Sequence, residues 1–268
     1  MSIILATENL TFTVQHKNLI DHLNLEIIQG SFNAIIGPNG AGKTTCLNLI
    51  NGDIPPNKGT ISLNGKNLRT TDRLVLAKKR AVLPQLIHIP FNIQVEDIVD
   101  LGREPYRYQC CKKQNQAVVQ HCLEKMGILN LRKQEYATLS GGEQHRVQIA
   151  RTLAQILAYP DEDLTGKILF LDEPTNHLDI HHQYNLMYLL KDLQEQGLTI
   201  IAVMHDLSLT LQFSDHILLL NKGKKVGDFT PEELVKNNAL SEVYQMDMNI
   251  LWSEQLARYL IAPTPKPL

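Results

Sequence analysis

The chain reads as a two-lobed α/β protein with a largely parallel central sheet, and three observations point there. Short apolar runs of buried-strand length recur along it, among them FNAII (32–36), ILFL (168–171) and TIIAVM (199–204); their length and flanking Gly, Asp and Pro favour strands over helices. Helical stretches separate several of these runs, and that alternation builds a mainly parallel sheet with helices on its faces. A mainly helical stretch from about Phe91 to Ala158 interrupts the alternation and reads as an inserted subdomain.

The elements follow in order. ATENLTFTV, NLEIIQG and SFNAIIG alternate in short strand-like runs with a turn at Gly30, FNAII reads as a buried strand, and an antiparallel N-terminal β subdomain is expected. GKTTCLNLING opens a helix at Gly42, with Gly52 near its end. GTISLNGKNL is a hairpin-like pair whose Asn64-Gly65 suits a tight turn. VEDIVDLGR, NQAVVQHCLEKMGI and GGEQHRVQIARTLAQILA are helical. KILFLD returns to strand, a helix starts near Asp179, and LTIIAVMH and HILLLNKGKKVGDFT are strands again. The expected division is a main domain over 3–245, a helical insert over about 88–158, and a C-terminal tail over 246–268. The end of that tail, APTPKPL, is Pro-rich and expected to fray.

Composition bounds the function. The 268 residues are 43% hydrophobic and 20% charged with a net charge of −2, ordinary globular values with enough chain for a real core. That balance gives no global electrostatic case for nucleic acid or anionic lipid. The basic clusters at 78–80 (KKR) and 110–113 (CCKK) lack interleaved aromatics and read as solvated surface. Cys46, Cys110, Cys111 and Cys122 form no C-x-x-C pair and are expected as reduced thiols. MSIILATENL has no basic leader region and reads as a first strand. No apolar run approaches the roughly 18–20 residues that span a bilayer, so membrane association is expected only through a partner. His177, His181 and His182 invite a zinc reading, but His177 precedes the helix, which removes the argument from i, i+4 spacing.

Five features carry chemistry. GPNGAGKTT, comprising Gly37, Pro38, Asn39, Gly40, Ala41, Gly42, Lys43, Thr44 and Thr45, matches G-x-x-x-x-G-K-[ST] between a buried strand and a helix. Such a loop turns successive N–H groups around a phosphate; Lys43 adds a cation, and the Thr44 hydroxyl is a hard oxygen ligand suited to Mg2+. Asp172 and Glu173 follow ILFL at a carboxyl strand end, where α/β sheets place ligands. Neighbours on a strand point to opposite sides, so the two carboxylates can differ in role, Asp172 orienting Mg2+ through water and Glu173 polarising the attacking water. His205 follows TIIAVM at a second such end and suits a γ-phosphate or Glu173. Gln85, in RAVLPQ, offers a neutral amide for Mg2+ or water. Finally Ser140 and Glu143 have capping-box spacing, while Gly141 and Gly142 between them suggest close backbone approach to an anion.

In this order GPNGAGKTT, Gln85, LSGGEQ, ILFLDEPT, HLD and His205 resemble the nucleotide-binding subunit of an ABC transporter over about residues 5–245. The resemblance implies a P-loop NTPase core binding ATP, with Mg2+ held by Thr44, Gln85 and, through water, Asp172. It implies that Glu173, His205 and Gln85 serve hydrolysis. Ser140, Gly141, Gly142 and Glu143 would face the ATP of a second copy in a head-to-tail homodimer, with Asp179 in the dimer-contact loop. It further implies two membrane permease subunits, a periplasmic solute-binding protein acting indirectly, no nucleic acid, and a peripheral place on the cytoplasmic face of the inner membrane. VEDIVDLGREPYR is similar to the L-G-R-x-P-[HY] stretch of ATPases serving importers of iron chelates, haem and cobalamin. The long link ILAYPDEDLTGK, with RAVLPQ and YATLSGGEQ, most resembles haemin-import ATPases, so haemin is the expected cargo and a ferric siderophore or cobalamin the alternative. A soluble iron–sulfur assembly ATPase is a rival that partner identity separates. Coiled-coil chromosome ATPases are set aside, because roughly 95 residues without sustained heptads separate phosphate loop and signature; only one motif set is present, which sets aside translation ATPases. Three positions depart from the family pattern. Val14 stands where an aromatic often stacks on adenine, with Phe12 two residues away; Tyr106 stands where His is frequent; and His145 stands where Gln or Arg is common.

Overall fold

A computed structural model of the chain describes residues 2–85, 92–256 and 258–265. The expected start of the helical insert, at 88 to 91, lies outside the described residues. In chain order the elements are β1 (Ile3–Val14), β2 (Lys17–Ile28), β3 (Phe32–Ile36), α1 (Lys43–Ile50), β4 (Lys58–Leu63), β5 (Lys66–Asn67), α2 (Arg73–Lys79) and β6 (Arg80–Leu83). Then come α3 (Val95–Leu101), α4 (Lys112–Lys125), α5 (Gly141–Ile156), β7 (Ile168–Asp172), α6 (Ile180–Glu195), β8 (Thr199–Val203) and α7 (Leu207–Phe213). The chain closes with β9 (His216–Asn221), β10 (Lys224–Phe229), α8 (Pro231–Val235), α9 (Ala239–Tyr244), β11 (Met246–Ser253) and β12 (Arg258–Pro265). They divide into two compact units, residues 1–70 with 201–268, and residues 71–200.

In the first unit an antiparallel sheet runs in the order β2-β1-β4-β5. Burial alternates along β2, where Leu23, Leu25 and Ile27 are buried and Asn24 and Glu26 exposed, the pattern of a sheet with one wet face. β3 instead pairs in parallel with β9, Ile35 opposite Leu218, and all five of its residues are buried. Such continuous burial reflects cover on both faces, and its one polar side chain, Asn33, donates to Ser31 O and Oγ. β9 turns antiparallel into β10.

In the second unit β6 and β7 pair in parallel, with Leu83 opposite Leu171. The helices α3, α4 and α5 pack beside them, and the stretch LGREPY explains how. A Cβ on Gly102 would sit 2.2 Å from the Arg151 carbonyl oxygen, so only glycine lets the end of α3 reach the α5 backbone. Arg103, 2% exposed, donates to the carbonyls of Ala154 at 2.6 Å, Leu157, and Ala158 at 3.1 Å, and from Nε to Asn115 Oδ1 at 3.0 Å. A guanidinium thereby satisfies the orphan carbonyls at the end of α5, where the helix dipole also favours a cation. The Tyr106 ring lies 4.3 Å from that guanidinium.

The C-terminal expectation needs correction. Residues 262–265 of APTPKPL do not fray; they belong to β12, which pairs with β11 in full register from Met246–Pro265 to Ser253–Arg258. Proline lacks an N–H but is tolerated on an edge strand, and β12 is one edge of a two-stranded sheet.

Candidate functional site

The first unit supplies an anion cradle. β3 ends at Ile36 and the chain turns at Gly37, whose φ is 148° and whose Cβ would meet the Leu220 carbonyl oxygen at 2.2 Å. Gly42 has φ 99°, and its Cβ would meet Leu19 O at 2.8 Å. Both glycines are demanded by neighbouring backbone, which fixes the ends of the loop. Between them Pro38 is half-buried, Asn39 and Gly40 are exposed, and Ala41 is buried. No side chain caps the start of α1 at Gly42, so its dipole end is open to an anion. Lys43 is 7% exposed, and its Nζ donates to Gly37 O at 2.8 Å and Pro38 O at 3.2 Å, folding the ammonium over the loop. Thr44 and Thr45 follow half-buried in the first turn.

One partner of this loop carries no sequence signal. Tyr244, at the end of α9, accepts a hydrogen bond from the Gly37 N–H at 3.1 Å. Burial raises its pKa, which keeps the phenol neutral. His205 is exposed in the link between β8 and α7, and Asp206 beside it caps α7 by accepting from Leu209 N at 3.0 Å. Val14 is 43% exposed at the end of β1, and Phe12 is half-buried within the strand.

The second unit supplies carboxylates. All five residues of β7 are buried, and Asp172 is 2% exposed. Glu173 differs from it for a reason other than strand alternation: the strand stops at Asp172, and Glu173 turns into the left-handed region at φ 55°. Its Oε2 accepts from Gln85 Nε2 at 2.9 Å and from Asn176 Nδ2. Gln85 reaches it because β6 and β7 are adjacent and parallel, ending at matched positions. Asn176 went unremarked in the sequence, although it stands in the same DEPTN run.

The signature stretch is a complete capping box. Ser140 Oγ accepts from Glu143 N at 3.4 Å, while Ser140 N and Oγ donate to Glu143 Oε2 at 2.9 and 2.7 Å. The Ser140 hydroxyl and then its backbone N–H hold the Glu143 carboxyl below its ordinary pKa. A Cβ on Gly142 would meet His177 O at 3.1 Å, whereas one on Gly141 would meet nothing within 4 Å. Packing therefore accounts in part for Gly142, and nothing inside the fold calls for Gly141. His145 Nε2 donates to Pro174 O at 2.7 Å, tying α5 to the turn after β7, and burial holds its pKa down. Asp179 is the N-cap of α6, accepting from His182 N at 2.9 Å and His182 Nδ1 at 2.8 Å. Those bonds, from the backbone first, hold its carboxyl below the ordinary value.

Thr44, Gln85 and Asp172 offer the hard oxygen donors that suit Mg2+, though among the described residues no three His, Cys, Asp or Glu are grouped to hold a metal ion. Among the described residues no helix is long and apolar enough to cross a membrane. Chemically, the first unit offers an uncapped helix start and a buried ammonium, which suit an anion. The other presents a carboxylate oriented by two amides.

The model of the ABC transporter family matches residues 20–176. The chain is 41% identical over 246 residues to the haemin import ATP-binding protein of Enterobacter cloacae, covering 91% of this chain and 92% of that one. It superposes with a TM-score of 0.80 and 26% identity, over 98% of both chains, on a chain of an inward-facing ABC transporter classed as metal-chelate type. It superposes with a TM-score of 0.75 and 27% identity on a dimeric ATP-binding cassette in a post-hydrolysis state bound to ADP and Pi, covering 85% of this chain and 99% of that one.

Proposed function

Because the chain belongs to the ABC transporter family, we propose that it is the ATP-hydrolysing subunit of a membrane importer whose cargo is haemin. The observation that carries the hydrolytic reading is the Glu173 carboxylate held by two amide donors just past a buried strand. The observation that favours haemin is the 41% identity across 91% of the chain to a haemin import ATP-binding protein.

Residues 37–45 cradle the phosphates of ATP, and Lys43 neutralises them. Thr44, Gln85 and, through water, Asp172 would hold Mg2+, whose charge offsets that of the phosphates. Glu173 takes a proton from the attacking water, kept in orientation by Gln85 and Asn176, and His205 donates to the γ-phosphate. Positioning and electrostatics supply most of the rate.

Ser140, Gly141, Gly142 and Glu143 serve the ATP of a second copy. The open space at Gly141 supports this, since a glycine that internal packing does not need suits the approach of an external anion. Asp179 contacts that second copy. Two permease subunits and, indirectly, a periplasmic binding protein complete the importer, with this subunit peripheral on the cytoplasmic face of the inner membrane. The test is ATP turnover by the complex with its permease in vesicles. Haemin-loaded binding protein should stimulate it several-fold; stimulation by cobalamin or a ferric siderophore instead would reassign the cargo, and co-purification with a soluble scaffold would reject the importer.

A further inference from the structure

The turn that carries Glu173 is strained and is held by its neighbours. Across residues 173–178 two non-glycine residues sit in the left-handed region, Glu173 at φ 55° and His177 at φ 63°. Side chains rarely settle there, and such a turn persists only where its surroundings over-determine it. α6 supplies one hold: Gln183 Nε2 donates to Thr175 O at 3.2 Å and to Leu178 O at 3.1 Å. α5 supplies another, at the carbonyl that follows Glu173 in the chain: Pro174 O accepts from His145 Nε2 at 2.7 Å. A carbonyl oxygen only accepts, so Nε2 carries the ring proton. The imidazole is half-buried and stands edge-on to His177, with ring centroids 6.5 Å apart. Gly142, three positions earlier on the same face of α5, comes so close to the turn that a Cβ there would sit 3.1 Å from His177 O. Helix and turn thus meet at a bare glycine and, one turn on, through a hydrogen-bonded imidazole.

We infer that His145 is a positioning residue for hydrolysis: through Pro174 O it fixes the turn from which Glu173 reaches the attacking water, and it ties that turn to the helix whose first residues address the second copy's ATP. The inference rests on the hydrolytic reading above. His145 touches neither nucleotide nor water; it acts through the backbone of Pro174. Gln85 and Asn176 orient the carboxylate at its far end, whereas His145 sets where its backbone stands. Without the Nε2–H the strained turn is free to relax, and a general base displaced by about 1 Å can lose up to about 100-fold in rate.

The test is ATP turnover by the complex with its permease, with kcat and KM separated. His145→Leu, which fills much of the same space without a donor, should lower kcat about 10- to 100-fold and leave KM for ATP within about 2-fold. His145→Gln, whose amide N–H can serve the same carbonyl, should recover most of that loss. The contrast between the two separates positioning from packing. Combined with Glu173→Gln, His145→Leu should still accumulate the ATP-bound dimer, which shows that the variant folds and binds. A kcat near that of wild type in His145→Leu, with Glu173→Gln inactive, overturns the positioning role alone. Equal losses in His145→Gln and His145→Leu, or a double variant that no longer binds ATP, assign the residue to packing and overturn it too. Retained turnover in Glu173→Gln overturns the general-base reading and this inference with it.

Discussion

Gln85 Nε2 donates to Glu173 Oε2 across 2.9 Å, joining the residues that follow two adjacent parallel strands, and Asn176 donates to the same oxygen. A carboxylate fixed in this way suits a general base, a role that contributes about 10²–10⁴-fold to rate. Glu173→Gln should therefore retain ATP binding, lose turnover by about that factor and accumulate an ATP-bound dimer. Single-turnover hydrolysis with a size-exclusion readout checks it, and near-normal hydrolysis would remove Glu173 from the role.

Tyr244→Phe tests the anchor at the other half. It deletes only the hydroxyl that accepts from Gly37 N. Leaving a partly buried N–H without its partner costs about 1–3 kcal/mol, and the loss falls on the first residue of the phosphate loop. The expected result is a several-fold rise in KM for ATP with little change in kcat. An unchanged KM together with an unchanged denaturation midpoint would show the bond to be idle.

These two residues mark what was legible in the sequence. The phosphate loop, the buried run before Asp172 and the capping box of Ser140 and Glu143 are local patterns, written in residues a few positions apart. Tyr244 lies 207 positions from Gly37, and only the folded chain brings them together. The LGREPY stretch was readable as a family mark but not as a device, because Arg103 caps a helix that ends more than 50 positions later. Proline content alone does not foretell the C-terminal hairpin of β11 and β12. Cross-strand pairs such as Trp252 with Tyr259, whose ring centroids lie 5.0 Å apart, offset what the prolines forgo.

Gly102→Ala should destabilise the second unit. The added methyl would meet the Arg151 carbonyl oxygen at 2.2 Å, a backbone neighbour that moves only with α5, and such overpacking costs about 1–3 kcal/mol. Arg103→Lys keeps the charge but loses the fork that reaches several carbonyls at once. Both should lower the urea midpoint, whereas Arg107→Lys, at an exposed ion pair, should not.

Thiol chemistry should separate the four cysteines, all of which are free. Burial pushes the Cys46 and Cys122 thiols up to about 12, and Cys110 is buried. Thiolate is the reactive form, so a native-state titration with an aromatic disulfide should show one fast thiol, Cys111, with the remaining three appearing on denaturation. Cys111→Ser should abolish the fast phase.

His145 links acidity to stability. Burial lowers its pKa in the folded protein below the ordinary value of 6.5, against the opposing bond to Pro174 O. The unfolded chain then binds a proton at a higher pH than the native one, so stability rises with pH in that interval. The contribution is complete above about 6.5 and is lost as pH falls from there through the lower folded value. His145→Gln can keep an N–H donor for Pro174 without titrating. Urea midpoints measured between pH 7.5 and 5.5 should fall more steeply for the wild type than for His145→Gln, and parallel curves would assign the acid sensitivity to another group.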